Sequence, residues 1–301
     1  MGKLDGQVVI VTGASAGIGE ATARMLASEG ADVVLVARRK ERLDQLKTEI
    51  EQVGTRPLAI AADITSPEDR ECIVQSTMSR FGRIDALVNN AGYGQRGPIE
   101  IVPIEAIRQN FETNLFSLIA LTQLVIPIMR KQGAGRIVNI SSVAGRVARP
   151  LSSVYDATKH ALEAISDGLR GELAPFGIKV IVIEPGFIIT EFLEVANEKA
   201  RPVIEQDSPY AESLAGVEAG FQRLRKMAGR PADIGELVVK ALTADKPRLR
   251  YAAPRHAQLA IALKRWLPER IFNYVLDRQA GVAAGKLKSD SNPATRAQGD
   301  L

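Results

Sequence analysis

Residues 8–30 read VVIVTGASAGIGEATARMLASEG, in which an apolar β-branched run, a glycine-rich turn and a helical pattern follow one another directly. Such a run is typical of a strand buried on both faces of a sheet. Glycine at positions 13, 17 and 19 suits a tight turn, lets a backbone approach a pyrophosphate closely and leaves the helix N-terminus facing the anion. The stretch therefore predicts a dinucleotide site. A merely tight strand-to-helix turn is the alternative, because the spacing GxxxGxG differs from the more usual GxGxxG.

Strand-like and helical patterns keep alternating after this stretch. The further apolar runs are DVVLVA (32–37), PLAIAAD (57–63), DALVNNAG (85–92), GRIVNISS (135–142), IKVIVIEPG (178–186) and RLRYA (248–252). Alternation of this kind implies parallel strands joined by crossover helices. The sequence therefore predicts an α/β fold, with a single Rossmann-type, doubly wound parallel sheet of about seven strands and helices on both faces.

Composition excludes several classes of protein. A chain of 301 residues that is 46% hydrophobic can bury a sizeable core. The net charge of +4 is small and basic residues alternate with acids, so nucleic-acid binding has little support. The single cysteine, Cys72, excludes an internal disulfide and indicates a reducing compartment, and we expect it in the core. No window approaches the roughly 20 apolar residues of a membrane-spanning helix, and the start shows no signal-peptide pattern, so we expect a cytoplasmic protein.

Two arginines follow the second predicted strand, where nucleotide-binding sheets select the ribose. An acid there would accept hydrogen bonds from a free 2′-hydroxyl, whereas Arg38 and Arg39 offer positive charge and a fork geometry suited to a 2′-phosphate. We therefore expect NADP(H) rather than NAD(H). The alternative is that the arginines only solvate a helix start, although cations near a helix N-terminus oppose its dipole.

Five motifs stand in order along the chain, namely the glycine turn, NNAG (89–92), NISS (139–142), Tyr155 with Lys159, and PGFIIT (185–190). With them the chain resembles the short-chain dehydrogenase/reductase family over about residues 5–250. The resemblance implies a nicotinamide cofactor and hydride transfer to or from a carbinol carbon. Within the family, the chain looks more like members that act on steroids, retinoids and lipids than like the shorter acyl-carrier-protein reductases.

The family's cofactor site can be placed on this sequence position by position. The resemblance puts the pyrophosphate at the glycine turn, the 2′-phosphate at Arg38, the adenine after the third strand, the adenosine ribose at NNAG and the nicotinamide at PGFIIT. The expected cofactor residues are Gly13, Ser15, Gly17, Ile18, Gly19, Arg38, Arg39, Asp63, Ile64, Asn90, Ala91, Gly92, Tyr155, Lys159, Pro185, Gly186, Ile188 and Thr190.

Tyr155 and Lys159 carry the predicted proton chemistry. Free tyrosine has a pKa of about 10, too high for a base near neutrality, so a nearby cation must favour the phenolate. Lys159 lies on the same helix face one turn on, and we expect it to bring the pKa of Tyr155 closer to working pH. Ser142 would hydrogen-bond the substrate oxygen. The resemblance gives Asn114 the task of fixing a water beside Lys159.

The substrate pocket is expected between the strand ends and a lid at about residues 190–228. Besides Ser142 and Tyr155, its predicted lining consists of Tyr93, Gln95, Val143, Leu151, Phe187 and Phe192. This mostly apolar set favours a small lipophilic alcohol or carbonyl compound. A 3-oxoacyl-thioester reductase is one alternative. A non-catalytic NADP(H) sensor or scaffold is another, against which the complete Ser142, Tyr155 and Lys159 set argues.

The predicted organisation has three regions: an NADP-binding catalytic domain (1–252), an amphipathic helical extension (253–280) and a disordered tail (281–301). In the extension, residues 255–278 have two interpretations: peripheral contact with a membrane, or a helix packed on the domain or on a second subunit. The family commonly forms dimers and tetramers, so we expect a homodimer or homotetramer. His160 and His256 have no second ligand at metal spacing, and we expect no metal.

Overall fold

The strands predicted from the apolar runs all form. The computed structural model describes residues 2–192, 194, 196, 209–225 and 227–279. Within this part of the chain one sheet contains β1 (Val8–Thr12), β2 (Asp32–Ala37), β3 (Leu58–Ala61), β4 (Ala86–Asn89), β5 (Gly135–Ile140), β6 (Ile178–Pro185) and β7 (Arg250–Ala253). All neighbouring strands are parallel, in the order β3-β2-β1-β4-β5-β6-β7. The predicted fold class is confirmed.

Helices cover both faces of the sheet. Those in the described residues are α1 (Gly17–Ser28), α2 (Lys40–Glu51), α3 (Pro67–Phe81), α4 (Ile104–Phe111), α5 (Ser117–Gln132), α6 (Ser153–Leu173), α7 (Ala211–Arg225), α8 (Pro231–Thr243), α9 (Arg255–Trp266) and α10 (Glu269–Gln279). Helices α1, α2 and α8 contribute to a hydrophobic cluster on one face, and α3, α5 and α6 contribute to a cluster on the other.

Strand β1 shows why the strands are apolar throughout. Val9 and Val11 belong to the first cluster, whereas Val8 and Ile10 belong to the second. Alternate residues of a strand point to opposite faces, and both faces are covered by helices, so each position of β1 meets apolar side chains. Full burial of each such side chain contributes about 1.5–3 kcal/mol.

The strand order places the functional crevice. Strands β2 and β3 follow one another on one side of β1, whereas β4 pairs with the other side of β1. Ligands of open α/β sheets bind outside the carboxyl ends of the strands at this reversal. The glycine turn follows β1 and the NNAG motif includes the end of β4, so both sit at the crevice.

The expectation for Cys72 is wrong, because the structure exposes it to solvent. Cys72 lies on α3, where its neighbour Ile73 is fully buried. The helix turns successive residues to different sides, so burial of Ile73 sends Cys72 outward, with its Sγ 3.7 Å from Ser76 Oγ.

The expectation about apolar windows is also wrong. A continuous helical run from Ile104 to Gln132 comprises α4, a π-helical turn (Glu112–Phe116) and α5. Within the described residues, this run alone is long enough and contains an 18-residue window apolar enough to cross a membrane by composition, with a mean hydropathy of 1.4 over that window. Leu121, Val125 and Met129 from α5 are buried in the second cluster. The apolar character of the helix therefore serves its packing on the sheet.

Two predicted segments fall partly or wholly outside the described residues. Of the lid at about 190–228, the structure describes 190–192, 194, 196, 209–225 and 227–228. The predicted tail, 281–301, lies outside entirely. The extension is described as far as residue 279 and forms α9 and α10.

Candidate active site

The turn between β1 and α1 depends on its glycines, as Gly13 and Gly19 show. Gly13 has a φ of 68°, in the left-handed region that favours glycine. An added Cβ at Gly19 would lie 2.2 Å from the Gly13 carbonyl oxygen, so a side chain there would displace the turn. The turn therefore brings bare backbone and the N-terminus of α1 to the crevice, an arrangement that fits a pyrophosphate.

Thr12 ties this turn to the end of β4. Its Oγ1 accepts hydrogen bonds from the N–H groups of Asn90 at 2.9 Å and Ala91 at 3.1 Å. The Asn90 side chain returns a hydrogen bond from Nδ2 to the Thr12 carbonyl oxygen at 2.9 Å. The sequence predictions missed Thr12, although the signal was present as a hydroxyl at the end of an otherwise apolar strand.

Arg38 and Arg39 have different surroundings at the adenosine end. The Arg38 side chain is 80% exposed, with its Nη1 3.9 Å from Asp63 Oδ2. Arg39 donates from Nε to Ser15 Oγ at 3.1 Å and from Nη1 to Glu191 Oε2 at 2.8 Å. Arg38 is therefore the more accessible cation of the two. Glu191 was not predicted as a site residue.

Ser142, Tyr155 and Lys159 meet on the wall of one cavity of about 810 Å³ that also includes the glycine turn. Ser142 follows β5, and the other two lie on the first turns of α6, where both are buried. Ser142 Oγ accepts from the Ala144 N–H at 3.1 Å and hydrogen-bonds Tyr155. Lys159 Nζ donates to the Ile140 carbonyl oxygen at 2.9 Å and lies 5.9 Å from the centre of the Tyr155 ring. The predicted proton-transfer residues thus adjoin the dinucleotide crevice.

Comparison with known proteins decides the family. The family model described as short chain dehydrogenase matches residues 7–201. This chain belongs to the short-chain dehydrogenase family.

Relatives of this short-chain dehydrogenase extend over most of its length. It is 31% identical over 271 residues to 3-ketodihydrosphingosine reductase of Bacteroides thetaiotaomicron, covering 90% of this chain and 96% of that protein. It is similar to the structure of a short-chain dehydrogenase from Streptomyces avermitilis, with a TM-score of 0.73, 34% identity and coverage of 89% and 98% of the two chains. The structure of an actinorhodin polyketide ketoreductase with NADPH has a TM-score of 0.70 at 29% identity, and the match covers 82% of this chain and 95% of that one.

The cavity fits the nicotinamide cofactor that this family uses. Of the expected cofactor residues, all except Gly19 line it. Gly19 instead packs where its missing side chain would meet Gly13 and Asn90, so it shapes the turn from behind. The residues expected at the nicotinamide end, Pro185, Gly186, Ile188 and Thr190, lie along the same cavity as the turn and as Ser142, Tyr155 and Lys159.

Asn114 holds the segment after β4. It lies in the π-helical turn Glu112–Phe116, where its Oδ1 accepts from the Tyr93 N–H at 3.0 Å. Its Nδ2 donates to the Tyr93 carbonyl oxygen at 2.9 Å and to Thr158 Oγ1 at 3.2 Å. A Cβ on Gly92 would lie 2.9 Å from Asn114 Oδ1 and 4.0 Å from Lys159 Nζ, so both side chains border Gly92. The water expected beside Lys159 stays a prediction.

The pKa of Tyr155 moves in the direction opposite to the one expected. Burial raises it to about 12, although the charge of Arg149 and the hydrogen bond with Ser142 both favour the phenolate. Burial also lowers the pKa of Lys159 to about 8, against the charge of Glu163. Desolvation penalises whichever form is charged, and here it outweighs the partners. In the protein without cofactor, Tyr155 is therefore a protonated phenol, which suits a proton donor.

Most of the predicted substrate residues line the same cavity. Among them, only Leu151 is missing from the lining that the structure describes; its carbonyl oxygen accepts from the Gly97 N–H at 3.0 Å in a loop. The Phe192 ring packs edge-on against Tyr155, with centroids 5.4 Å apart. Sequence patterns missed a further part of the wall, contributed by α9, α10 and one residue of the turn between them: His256, Ala257, Leu259, Ala260, Leu263, Leu267, Phe272, Val275 and Leu276.

The two histidines have protein partners. His256 Nε2 accepts from the Phe187 N–H at 3.2 Å, and burial lowers the pKa of His256, so the neutral ring fits this role. His160 Nδ1 lies 2.8 Å from the Asp156 carbonyl oxygen. Among the residues that the structure describes, no group of three His, Cys, Asp or Glu side chains is placed to hold a metal ion.

Two buried carboxylates, Glu163 and Glu184, lie near the site without lining the cavity. Glu163 follows Lys159 by one helical turn, and Glu184 immediately precedes the PGFIIT motif. Arg250 Nε lies 2.9 Å from Glu163 Oε2 and 3.7 Å from Glu184 Oε1, and Arg146 Nε lies 3.5 Å from the latter atom. Burial, with the charge of Glu163, raises the pKa of Glu184 to about 7, despite the two arginines.

This arrangement predicts an effect of Glu184→Gln on stability. Folded Glu184 holds its proton to a higher pH than an unfolded glutamate, so its ionisation destabilises the wild-type protein as pH rises from about 4.5 through 7. The variant should lack this loss and be more stable than wild type at pH above 7 by about 3 kcal/mol, with little difference at acid pH. Denaturant unfolding below pH 4.5 and above pH 7 measures the difference in the free energy of unfolding between the two proteins. Glu41→Gln, at an exposed position, is the control. Parallel pH curves for wild type and Glu184→Gln would contradict it.

Proposed function

We propose that this short-chain dehydrogenase is an NADP(H)-dependent oxidoreductase that interconverts an alcohol and a ketone or aldehyde on a lipophilic substrate. The observation that carries the proposal is the meeting of Ser142, Tyr155 and Lys159 in the cavity that contains the glycine turn. A protein that only sensed NADP(H) or served as a scaffold would gain nothing from placing these three groups together.

The chain's own residues handle the proton, while bound nicotinamide would supply or accept the hydride. In reduction, the protonated Tyr155 donates to the substrate oxygen as negative charge develops there. Ser142, which forms a hydrogen bond with Tyr155, also hydrogen-bonds the substrate oxygen through its Oγ. Lys159 lies beside the Tyr155 ring, so its positive charge stabilises the phenolate that remains. Oxidation of the alcohol runs through the same groups in reverse.

The preference for NADP(H) rests on Arg38. This exposed guanidinium stands after β2 and lines the cavity, so a 2′-phosphate can take it as a partner. Arg38→Ala should weaken NADPH binding by about 10- to 100-fold and leave NADH binding within about twofold, because a charge-assisted contact contributes roughly 1.5–3 kcal/mol. Titration of both dinucleotides measures the two affinities. Arg80→Ala removes a charge from α3 outside the cavity lining and should change neither; equal losses for both dinucleotides in Arg38→Ala would refute the assignment.

A lipophilic substrate is supported by the cavity wall and by one relative. Leu263, Leu267, Phe272 and Leu276 line the cavity in addition to Phe192. The related 3-ketodihydrosphingosine reductase is named for a lipid ketone. A pocket lined in this way gains affinity from each apolar group that it removes from water.

A substrate panel tests the proposed reaction. Oxidation of NADPH is followed with long-chain ketones, steroid ketones, 3-oxoacyl thioesters and a short water-soluble ketone. The proposal expects turnover with carbonyl substrates and the highest kcat/KM for an extended apolar ketone. Absence of NADPH and NADH oxidation across the panel would overturn the proposal that the protein is an enzyme. A higher kcat/KM for the 3-oxoacyl thioesters would overturn the proposed lipophilic ketone and identify a thioester reductase instead.

We also propose a cytoplasmic homodimer or homotetramer. Ile104, Phe116 and Ile165 are exposed apolar side chains on the helical run from Ile104 to Gln132 and on α6. Ile165 reads as a packing residue in the sequence, but the described chain leaves it open to solvent. A second copy covering these helices would remove this apolar surface from water, which supports the assembly.

A further inference from the structure

Helices α9 and α10 carry apolar side chains that face both the cavity and the solvent. Leu259, Leu263 and Val275 line the cavity, and all three are also exposed, Leu259 to 59%. Side chains with both properties lie at the mouth of a cavity. The candidate active site therefore opens to the outside across apolar residues.

The exposed apolar surface continues beyond the mouth. Trp266, Ile271 and Tyr274 are exposed, Trp266 to 79% and Tyr274 to 61%. Together these six side chains form the C-terminal apolar face: Leu259, Leu263, Trp266, Ile271, Tyr274 and Val275. Six large apolar side chains exposed on two consecutive helices exceed the scattered single residues that protein surfaces normally show, and such a patch marks an interaction site.

Basic residues accompany this face. Residues 255–278 contain five basic side chains, Arg255, Lys264, Arg265, Arg270 and Arg278, against two acidic ones, Glu269 and Asp277. This excess of three accounts for most of the whole chain's net charge of +4. Apolar and aromatic side chains accompanied by Lys and Arg are the pattern of helices that lie in the interface of an anionic membrane.

Two other occupants fit this face less well. In a twofold contact between copies, the face would pack on itself and bring both basic sets together, which is unfavourable. An acidic protein would match the charge, but the exposed Trp266, Ile271 and Tyr274 are not needed for that attraction. A bilayer surface matches both the charge and the apolar side chains, and it also dissolves a lipophilic substrate.

We propose that the C-terminal apolar face rests on the surface of an anionic bilayer and that substrate passes between the bilayer and the cavity across Leu259, Leu263 and Val275. The route for substrate rests on the proposed function, whereas attachment to the bilayer does not. The two are therefore tested by separate measurements.

Trp266 is the single tryptophan of the chain and lies on this face, so its fluorescence reports contact directly. The full-length protein is titrated with phosphatidylcholine vesicles with and without phosphatidylglycerol. We expect a blue shift with the anionic vesicles, quenching when their acyl chains are brominated, and weaker binding at high salt. An unchanged spectrum with both vesicles would overturn the proposal. So would a shift that appears on raising protein concentration without lipid, since that result would indicate a second copy.

Two substitutions test which surface binds. Ile271→Glu and Tyr274→Glu place an acid on the face at residues outside the cavity lining, and each should weaken partition into anionic vesicles about tenfold or more. Val53→Glu is the matched control, because Val53 is an equally exposed apolar residue just after α2. Co-sedimentation gives the affinities. Wild-type binding by both face variants, or equal loss in Val53→Glu, would contradict the assignment.

Kinetics with two presentations of substrate test the route. For a ketone dissolved in anionic vesicles, Ile271→Glu should lower kcat/KM by about the same factor as its partition. For a water-soluble ketone, its kcat/KM should match that of wild type. An equal loss on both would overturn the route, since it would show damage to the site itself. If no ketone is turned over, the proposed function fails, while the fluorescence and co-sedimentation results still decide attachment.

Discussion

Replacing Tyr155 by phenylalanine should lower kcat/KM for ketone reduction by about a thousandfold. The variant loses only the phenol O–H, which is the proposed proton donor and which Ser142 hydrogen-bonds within the cavity. General acid catalysis of this kind is worth about 10²–10⁴-fold, and a thousandfold loss falls within that range. The loss should appear in kcat as well as in kcat/KM, because the proton moves only in the transition state.

Several controls separate this loss of chemistry from a loss of structure. The phenylalanine keeps the ring and thus the edge-on packing against Phe192, so the Tm should stay close to that of wild type. Binding of NADPH should persist. Tyr274→Phe removes a phenol O–H from an exposed residue of α10 and should retain full activity on a water-soluble ketone. Rates for Tyr155→Phe within a few-fold of wild type would rule out Tyr155 as the proton donor.

Lys159→Met should cost about a hundredfold or more in kcat/KM and should change the shape of the pH profile. Methionine retains much of the apolar stem but removes the ammonium group that lies 5.9 Å from the Tyr155 ring centre. Without this charge, the phenolate formed in reduction has no stabilising cation at that position. Steady-state kinetics of both proteins across neutral and alkaline pH measure the effect.

The pH profile gives the more specific test of Lys159. Its pKa of about 8 in the free protein means that the ammonium is lost as pH rises through that value, so wild-type kcat/KM for reduction should fall there. Lys159→Met has no ammonium to lose, and its low activity should lack that alkaline limb. A limb that persists unchanged in the variant would show that another group titrates, and the assigned role of Lys159 would fail.

Much of the fold was predictable because its strands are apolar on both sides. Residues Val8 to Val11 pack alternately against helices on the two faces of the sheet, so every one of them must be apolar. The sequence therefore shows a continuous β-branched run. The error over Cys72 concerns which side of a helix is covered by the rest of the protein. Cys72 and Ile165 are residue types that usually pack, yet each faces solvent in the described chain, because its helix turns it away from the sheet. Composition alone cannot fix that angle.

The candidate site was predictable in its residues but not in its energetics. Motif spacing identified Ser142, Tyr155 and Lys159, and the structure brings all three to one cavity. The pKa of Tyr155 depends on how fully the ring is desolvated, which is a tertiary property that the i+4 spacing does not reveal. Likewise, the amphipathic pattern of residues 255–278 indicates an apolar stripe. Contact between that stripe and the cavity depends on the position of β7 in the sheet, because α9 begins just after this strand.

The C-terminal wall of the cavity has a consequence for the divergence of this protein. The family match ends at residue 201, whereas α9 and α10 lie after it and still form part of the wall. The groups proposed to move the proton and the apolar wall proposed to meet the substrate therefore lie in separate stretches of the sequence. Mutation and recombination can alter α9 and α10 while Ser142, Tyr155 and Lys159 remain unchanged, so substrate range can diversify under an invariant chemistry.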